Sequence, residues 1–153
     1  NLLTMITPSP TTKIAPYLCR GVLEQVVPET ATKGAYVVVS FPDTSYRLHL
    51  VAMAGVSTPV GKKVIGVIRA KARRVDVVQS GGRYVEPVQG RPRRVQGHVV
   101  STETSTNSIT VNAGVPMVCT LTDGRQSASQ FEPGQFVSFD VLDGATLTPE
   151  QPA

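Results

Sequence analysis

The chain has 153 residues and a mass of 16.3 kDa, which suits one compact domain or two very small ones. Val occurs 24 times against 9 Leu, with 13 Gly and 12 Pro, and this composition favours short strands joined by turns over helices. Charged residues are only 17% and no apolar run reaches the roughly 18 residues of a spanning helix, so the composition excludes an acidic disordered chain and a helical membrane protein.

Both ends are predicted to lie outside the folded part. Residues 1–16 are rich in Thr and Pro, and Pro8, Pro10 and Pro16 each prevent a helix from continuing, so we expect an extended arm. Residues 148–153 are expected to be a tail for the same reason. The arm lacks the basic head and apolar stretch of a secretory signal, which favours a cytoplasmic protein. Because the first residue is not Met, a larger parent chain stays open.

An internal repeat sets the predicted architecture. Residues 36–72 and 109–145 align without gaps, with turn positions and strand phases in common; Gly61, for example, falls on Gly134 at the start of an alternating strand. Each unit contains four or five short strands, too few for a stable open sheet. Closing into a small barrel hides the strand edges and fills the interior.

We therefore predict an all-β protein of two tandem small β-barrels with little or no helix. The first would cover residues 17–90 and the second, acidic one residues 91–147.

One segment of the second unit carries a local resemblance. Residues 131–144, FEPGQFVSFDVLDG, resemble the fourth-strand region of cold-shock and related OB-fold domains, where a Gly-Gln or Gly-Asp turn opens an alternating strand. The resemblance implies an OB-like barrel. It does not extend to the aromatic RNA-binding motifs of cold-shock proteins, because residues 97–101 and 109–113 contain no aromatic side chain. It therefore weakens the idea that the second unit stacks bases.

The positive charge is concentrated in the middle of the chain. The net charge of +4 divides into +1 over residues 1–61, +8 over residues 62–94 and −5 over residues 95–153. Alternation predicts that Arg69, Lys71 and Arg73 project from one outer strand face, each about 7 Å from the next, close to the phosphate spacing along a nucleic-acid strand.

The candidate binding element is a basic hairpin over residues 62–94, with its turn at Gly81 and Gly82 and arginines on both flanks. A bulge is expected where Arg73 and Arg74 interrupt the alternation. Tyr84 is the preferred stacking surface, ahead of the tyrosines at positions 36 and 46. The candidate nucleic-acid-binding residues are Lys62, Lys63, Arg69, Lys71, Arg73, Arg74, Arg83, Tyr84, Arg91, Arg93 and Arg94.

Two functions follow from this pattern. The leading hypothesis is a non-catalytic module that binds nucleic acid or another polyanion, mostly through phosphates. The alternative is a protein–protein interaction or self-assembly module, in which the basic hairpin docks on the acidic second unit of the same chain or of a neighbour in a homo-oligomer. A solvated basic surface that only aids solubility is the third explanation.

The sequence carries no pattern typical of catalysis, and no enzyme, cofactor, metal site or membrane partner is predicted. His49 and His98 each lie in a predicted strand with no ligand at metal-binding spacing, and neither a GxSxG elbow nor a P-loop occurs. Cys19 and Cys119 have no CxxC spacing, so a single disulfide and two unpaired buried thiols both remain open, with the thiols favoured.

Overall fold

The computed structural model describes residues 15–150, and this part of the chain is all-β. The strands, numbered in chain order, are β1 (Cys19–Val27), β2 (Tyr36–Ser40), β3 (Arg47–Ala52), β4 (Lys63–Ala72), β5 (Asp76–Val77), β6 (Tyr84–Glu86), β7 (Gln89–Gly90), β8 (Arg94–Glu103), β9 (Ser108–Asn112), β10 (Pro116–Leu121), β11 (Phe136–Asp140) and β12 (Thr146–Pro149). One 3-10 turn spans Ala128–Gln130. Most of the predicted N-terminal arm lies outside the described residues.

Five strands close a small barrel. β1, β2 and β3 form an antiparallel meander, β1 also pairs with β4, and β12 fills the gap by pairing parallel to β3 and antiparallel to β4. Closure leaves no open edge within this ring of strands. The barrel is compatible with the predicted OB-like fold.

The last strand corrects the predicted C-terminal tail. Thr148 pairs with Val67 and Pro149 with Gly66, so both belong to the barrel wall. The proline suggested a linker, but a residue without an N–H group is tolerated at the end of a strand. Leu147, fully buried, anchors this strand in the core.

The remaining strands continue the same sheet beyond β4. Residues 69–72 of β4 pair parallel to β10, and β9, β8 and β11 follow in antiparallel order. A bridge between Ala72 and Val141 brings the chain after β11 back to the end of β4. β4 therefore contributes pairing edges to both groups of strands. This arrangement does not confirm a tandem split into two barrels, and the predicted boundary between residues 90 and 91 stays a prediction.

Alternation along the strands sorts their residues as predicted. In β3, Leu48 and Leu50 are buried while Arg47 and His49 are half-buried. In β10, Cys119 and Leu121 are buried with half-buried residues between them. Period-two burial of this kind places one side of each strand in a common apolar core that runs through both groups of strands.

Candidate nucleic-acid interface

Two exposed cations lie on the outer face of β4, and a third follows directly after its last residue. Arg69, Lys71 and Arg73 are exposed, whereas Ala70 and Ala72 between them are buried. The predicted strand phase is therefore confirmed. The three side chains form what we call the basic strip. Within residues 15–150 none of them is ion-paired to a carboxylate; Arg69 donates a 3.3 Å hydrogen bond to the hydroxyl of Thr148.

The predicted hairpin over residues 62–94 is not formed. Its two arms, β5 and β6, do not pair with each other: β5 lies on β11 and β6 lies on β8, and β11 and β8 are themselves neighbours. Each arm docks separately because each buries its own valine, Val75 at 2% exposure and Val85 at 0%. The phase does change after Ala72, but because the strand ends there rather than through the expected bulge: Val75 turns inward, whereas Val77 is 51% exposed.

Two arginines of the candidate set are held by aspartates of the acidic segment. Arg94 donates hydrogen bonds to Asp140 (2.7 Å) and Ser138 (2.8 Å), and Arg91 pairs with Asp143 at 2.9 Å. These pairs line an open cleft of about 870 Å³, which Arg93 also borders. The cleft mixes both signs of charge, and two of its three arginines, Arg91 and Arg94, are already compensated within the chain.

A smaller cleft of about 490 Å³ continues from Arg94 towards Arg73 and Arg74. Arg74 pairs with Asp76 at 3.1 Å, whereas Arg73 has no such partner in the described chain. At its border, a hydrogen bond from Arg125 lowers the pKa of Asp123 to about 2. Of the cations around this cleft, Arg73 has the least local compensation.

The remaining candidates are dispersed. Lys62 and Lys63 lie at the opposite end of β4 from Arg73, and Arg83 lies in the exposed loop before β6. Tyr84 is half-buried; its hydroxyl donates a 3.4 Å hydrogen bond to Gln96. Hydrogen bonds to Asp140 and then to Tyr84 raise the pKa of Arg94. Tyr84 is thus engaged with the wall of the first cleft.

A second basic group was missed by sequence reasoning. The rings of Tyr36 and His49 stack with centroids 4.7 Å apart and planes inclined by 18°, and Lys33 Nζ lies 4.7 Å from the Tyr36 centroid. Burial, then the positive charges of Lys33, Arg91 and Arg47, lower the pKa of His49. We call these five residues the aromatic–basic cluster. Alternation alone could place Tyr36 and His49 on outer strand faces. It could not predict the strand register that brings the two rings together.

The remaining reactive groups are enclosed. Cys19 and Cys119 are both free and buried, and burial raises the pKa of each thiol to about 12.

Across residues 15–150, no group of three or more His, Cys, Asp or Glu side chains is placed to hold a metal ion. The same stretch of chain contains no helix with the length and apolar character required to cross a bilayer.

Comparison of the chain with models of protein families, with curated protein sequences and with solved structures found no match.

Proposed function

We propose that this protein binds nucleic acid through phosphate contacts made by the basic strip. The observation that supports this most is the spacing of Arg69 and Lys71 on β4 and of Arg73 directly after it. The three alternate with buried residues and have no carboxylate partner among the described residues. Side chains two residues apart on a strand are about 7 Å apart. A rigid row of this kind can contact successive phosphates without ordering any flexible segment.

Arg93 supports the strip from the neighbouring cleft, whereas Arg74, Arg91 and Arg94 are committed to aspartates. To bind nucleic acid, each of these three guanidinium groups would have to give up its aspartate for a phosphate. That exchange of one anion for another adds little to the free energy of binding. We therefore assign the strip the main part of binding and expect weak sequence selectivity, because phosphate contacts carry no base information.

A salt titration tests this proposal. Three phosphate contacts predict that the logarithm of the binding constant for a single-stranded oligonucleotide falls with the logarithm of salt concentration with a slope of about −2. Lys71→Ala should reduce that slope by about 0.7. Lys62→Ala is the matched control, because it removes a charge at the opposite end of β4 from Arg73. Absence of binding at about 50 mM salt, or a slope near zero, would overturn the proposal.

The ion pairs of the first cleft support a second candidate, in which the acidic segment docks on basic residues to hold an assembly together. Arg94–Asp140 and Arg91–Asp143 join positions about fifty residues apart in the chain. If copies of the chain exchange these pairs, light scattering should detect oligomers that dissociate with salt, weaken with Arg94→Glu and recover when Asp140→Arg is added. A monomer at every salt concentration would exclude this candidate.

We also propose that the chain contains the predicted repeat, with each unit supplying a strand to the other: β4 pairs with the second group of strands, and β12 completes the first barrel. Two features support it. β8 to β11 together with the end of β4 make a second circuit of strands. Upstream of the two aligned segments, Gly21 and Gly97 both lie against the backbone of the strand that follows.

A further inference from the structure

The aromatic–basic cluster lies on the outer face of β2 and β3, on strands separate from the basic strip. Tyr36 and His49 are half-buried and stacked, and Lys33 extends from the exposed loop before β2 to a position over the Tyr36 ring. Arg47 shares the outer face of β3 with His49, two residues away. The cluster therefore combines two flat rings with cations on more than one side.

An apolar cleft of about 540 Å³ adjoins Tyr36. Val26 and Val51 line it with Tyr36, and both valines are exposed, at 55% and 39%. Ligand sites of this size combine apolar walls with a few well-placed polar groups. A flat apolar surface beside cations matches the two parts of a nucleotide unit, whose base has an apolar face and whose phosphate is an anion.

We propose that the aromatic–basic cluster binds one unpaired base of a nucleic-acid strand on the Tyr36–His49 pair and the adjoining phosphate with Lys33 and Arg47. This inference rests on the proposed function and deepens it, because it adds recognition of single strands to phosphate contacts that tolerate any strand. Stacking is sequence-tolerant, since every base has a π face.

The charges around the cluster show which cation is available. Arg47 lies 3.8 Å from Glu24, which also accepts a 2.6 Å hydrogen bond from Ser40, and Arg91 is paired with Asp143. Lys33 has no carboxylate partner within residues 15–150, and its ammonium group occupies the ring face instead. A base that takes this position would displace a flexible side chain, whose charge then becomes free for the phosphate.

Binding at this position couples to a proton on His49. In the free protein, burial and the charges of Lys33, Arg91 and Arg47 keep the pKa of the imidazole below its usual value; Glu24 and Asp143 lie behind the two arginines. A bound phosphate offsets those cations and favours the imidazolium form. The complex therefore takes up a proton, and affinity should rise as the pH falls below about 7.

The test compares two labelled strands of equal length and charge, oligothymidylate and an abasic deoxyribose-phosphate strand, by fluorescence anisotropy. We expect the whole protein to bind oligothymidylate about fivefold or more tightly than the abasic strand. Tyr36→Ala should bring that ratio close to 1, because it removes the ring face that Lys33 now covers, whereas Lys71→Ala should weaken both strands alike. His49→Gln should also remove the gain in affinity between pH 7.5 and 5.5, and thymine does not titrate in that range.

His98→Ala is the matched control, since His98 lies on β8 beside Phe136 and should change neither ratio nor pH dependence. Equal binding of both strands by the wild type, or a ratio that survives Tyr36→Ala, would contradict base stacking at the cluster while leaving the basic strip in place. Failure to bind either strand would remove the proposed function and the cluster together.

Discussion

Tyr46 connects distant parts of the chain through one hydroxyl group. Its O–H donates to the carbonyl of Ala113 (2.8 Å) and accepts from the N–H of Val85 (3.0 Å). The ring also packs against Gly114 and the core. Tyr46 was a possible stacking surface in the sequence. In the structure its hydroxyl instead links the barrel to the segments that follow it.

Tyr46→Phe should destabilise the protein by about 1–3 kcal/mol, because two backbone groups lose their partner in a half-buried setting. Urea unfolding followed by circular dichroism measures this change. Tyr17→Phe serves as the control, because the Tyr17 side chain is 46% exposed. Equal stability of Tyr46→Phe and wild type would show that water replaces the hydroxyl.

Gly97 is required by a close approach of two strands. A Cβ atom at this position would collide with the carbonyl oxygen of Asn112 and lie 3.0 Å from Ala113 Cα. Gly97→Ala should therefore cost about 1–3 kcal/mol, as overpacking does. Gly124→Ala, where nothing lies within 4 Å, should change the urea midpoint little. A similar loss in both variants would point to a general effect of removing glycine.

His49 should make the fold sensitive to acid. Because burial and neighbouring cations lower its pKa in the folded state, the unfolded chain binds the proton more readily, and stability decreases as the pH falls from about 7 through the lowered pKa. The thermal midpoint of His49→Gln should fall less between pH 7.5 and 5 than that of the wild type. Parallel curves for the two proteins would contradict this assignment.

At the scale of elements, β12 closes the barrel although it comes last in the chain. The side chain of Leu147 is completely buried, with 0% exposure. The residue pairs with Ala52 on β3 and with Ile68 on β4. Leu147→Ala should cost about 2–5 kcal/mol by leaving a cavity at this junction. Val60→Ala, at a side chain 57% exposed, is the control in the same unfolding assay, and a comparable loss there would refute the special role of β12.

The strands show what local pattern can and cannot predict. The inward phase of Ile68, Ala70 and Ala72 followed from alternation in the sequence and is confirmed. The partner of each strand did not follow, because pairing depends on which edges meet after the chain has folded. For this reason the arms containing Val75 and Val85 were expected in one hairpin and are found on separate strands.

At the scale of the whole molecule, β4 links the two groups of strands, and one apolar core runs through both. We expect a single unfolding transition in urea, with tyrosine fluorescence and far-ultraviolet circular dichroism giving the same midpoint. Fragments covering residues 15–90 and 91–150 should not fold alone, since each lacks strands that the other supplies. Two separate transitions would indicate independently stable units.

The cations that are clustered in the sequence do not form one cluster in the folded protein. The sequence places ten cations within residues 62–94, yet the fold separates them into a strip, two clefts and isolated positions. Asp140 and Asp143, distant in the chain, compensate Arg94 and Arg91. A count of charges along the chain could not reveal this, because ion pairs form between residues that are adjacent only in space.

Composition and period-two alternation alone were sufficient to predict an all-β protein that contains a small closed barrel, because burial on one strand face is a local property of the residues. Tertiary structure alone decided that a strand near the C-terminus completes the barrel, that three of the seven candidate arginines pair with aspartates, and that Tyr36 meets His49. Those features depend on strand register and on contacts between distant segments, which no local pattern encodes.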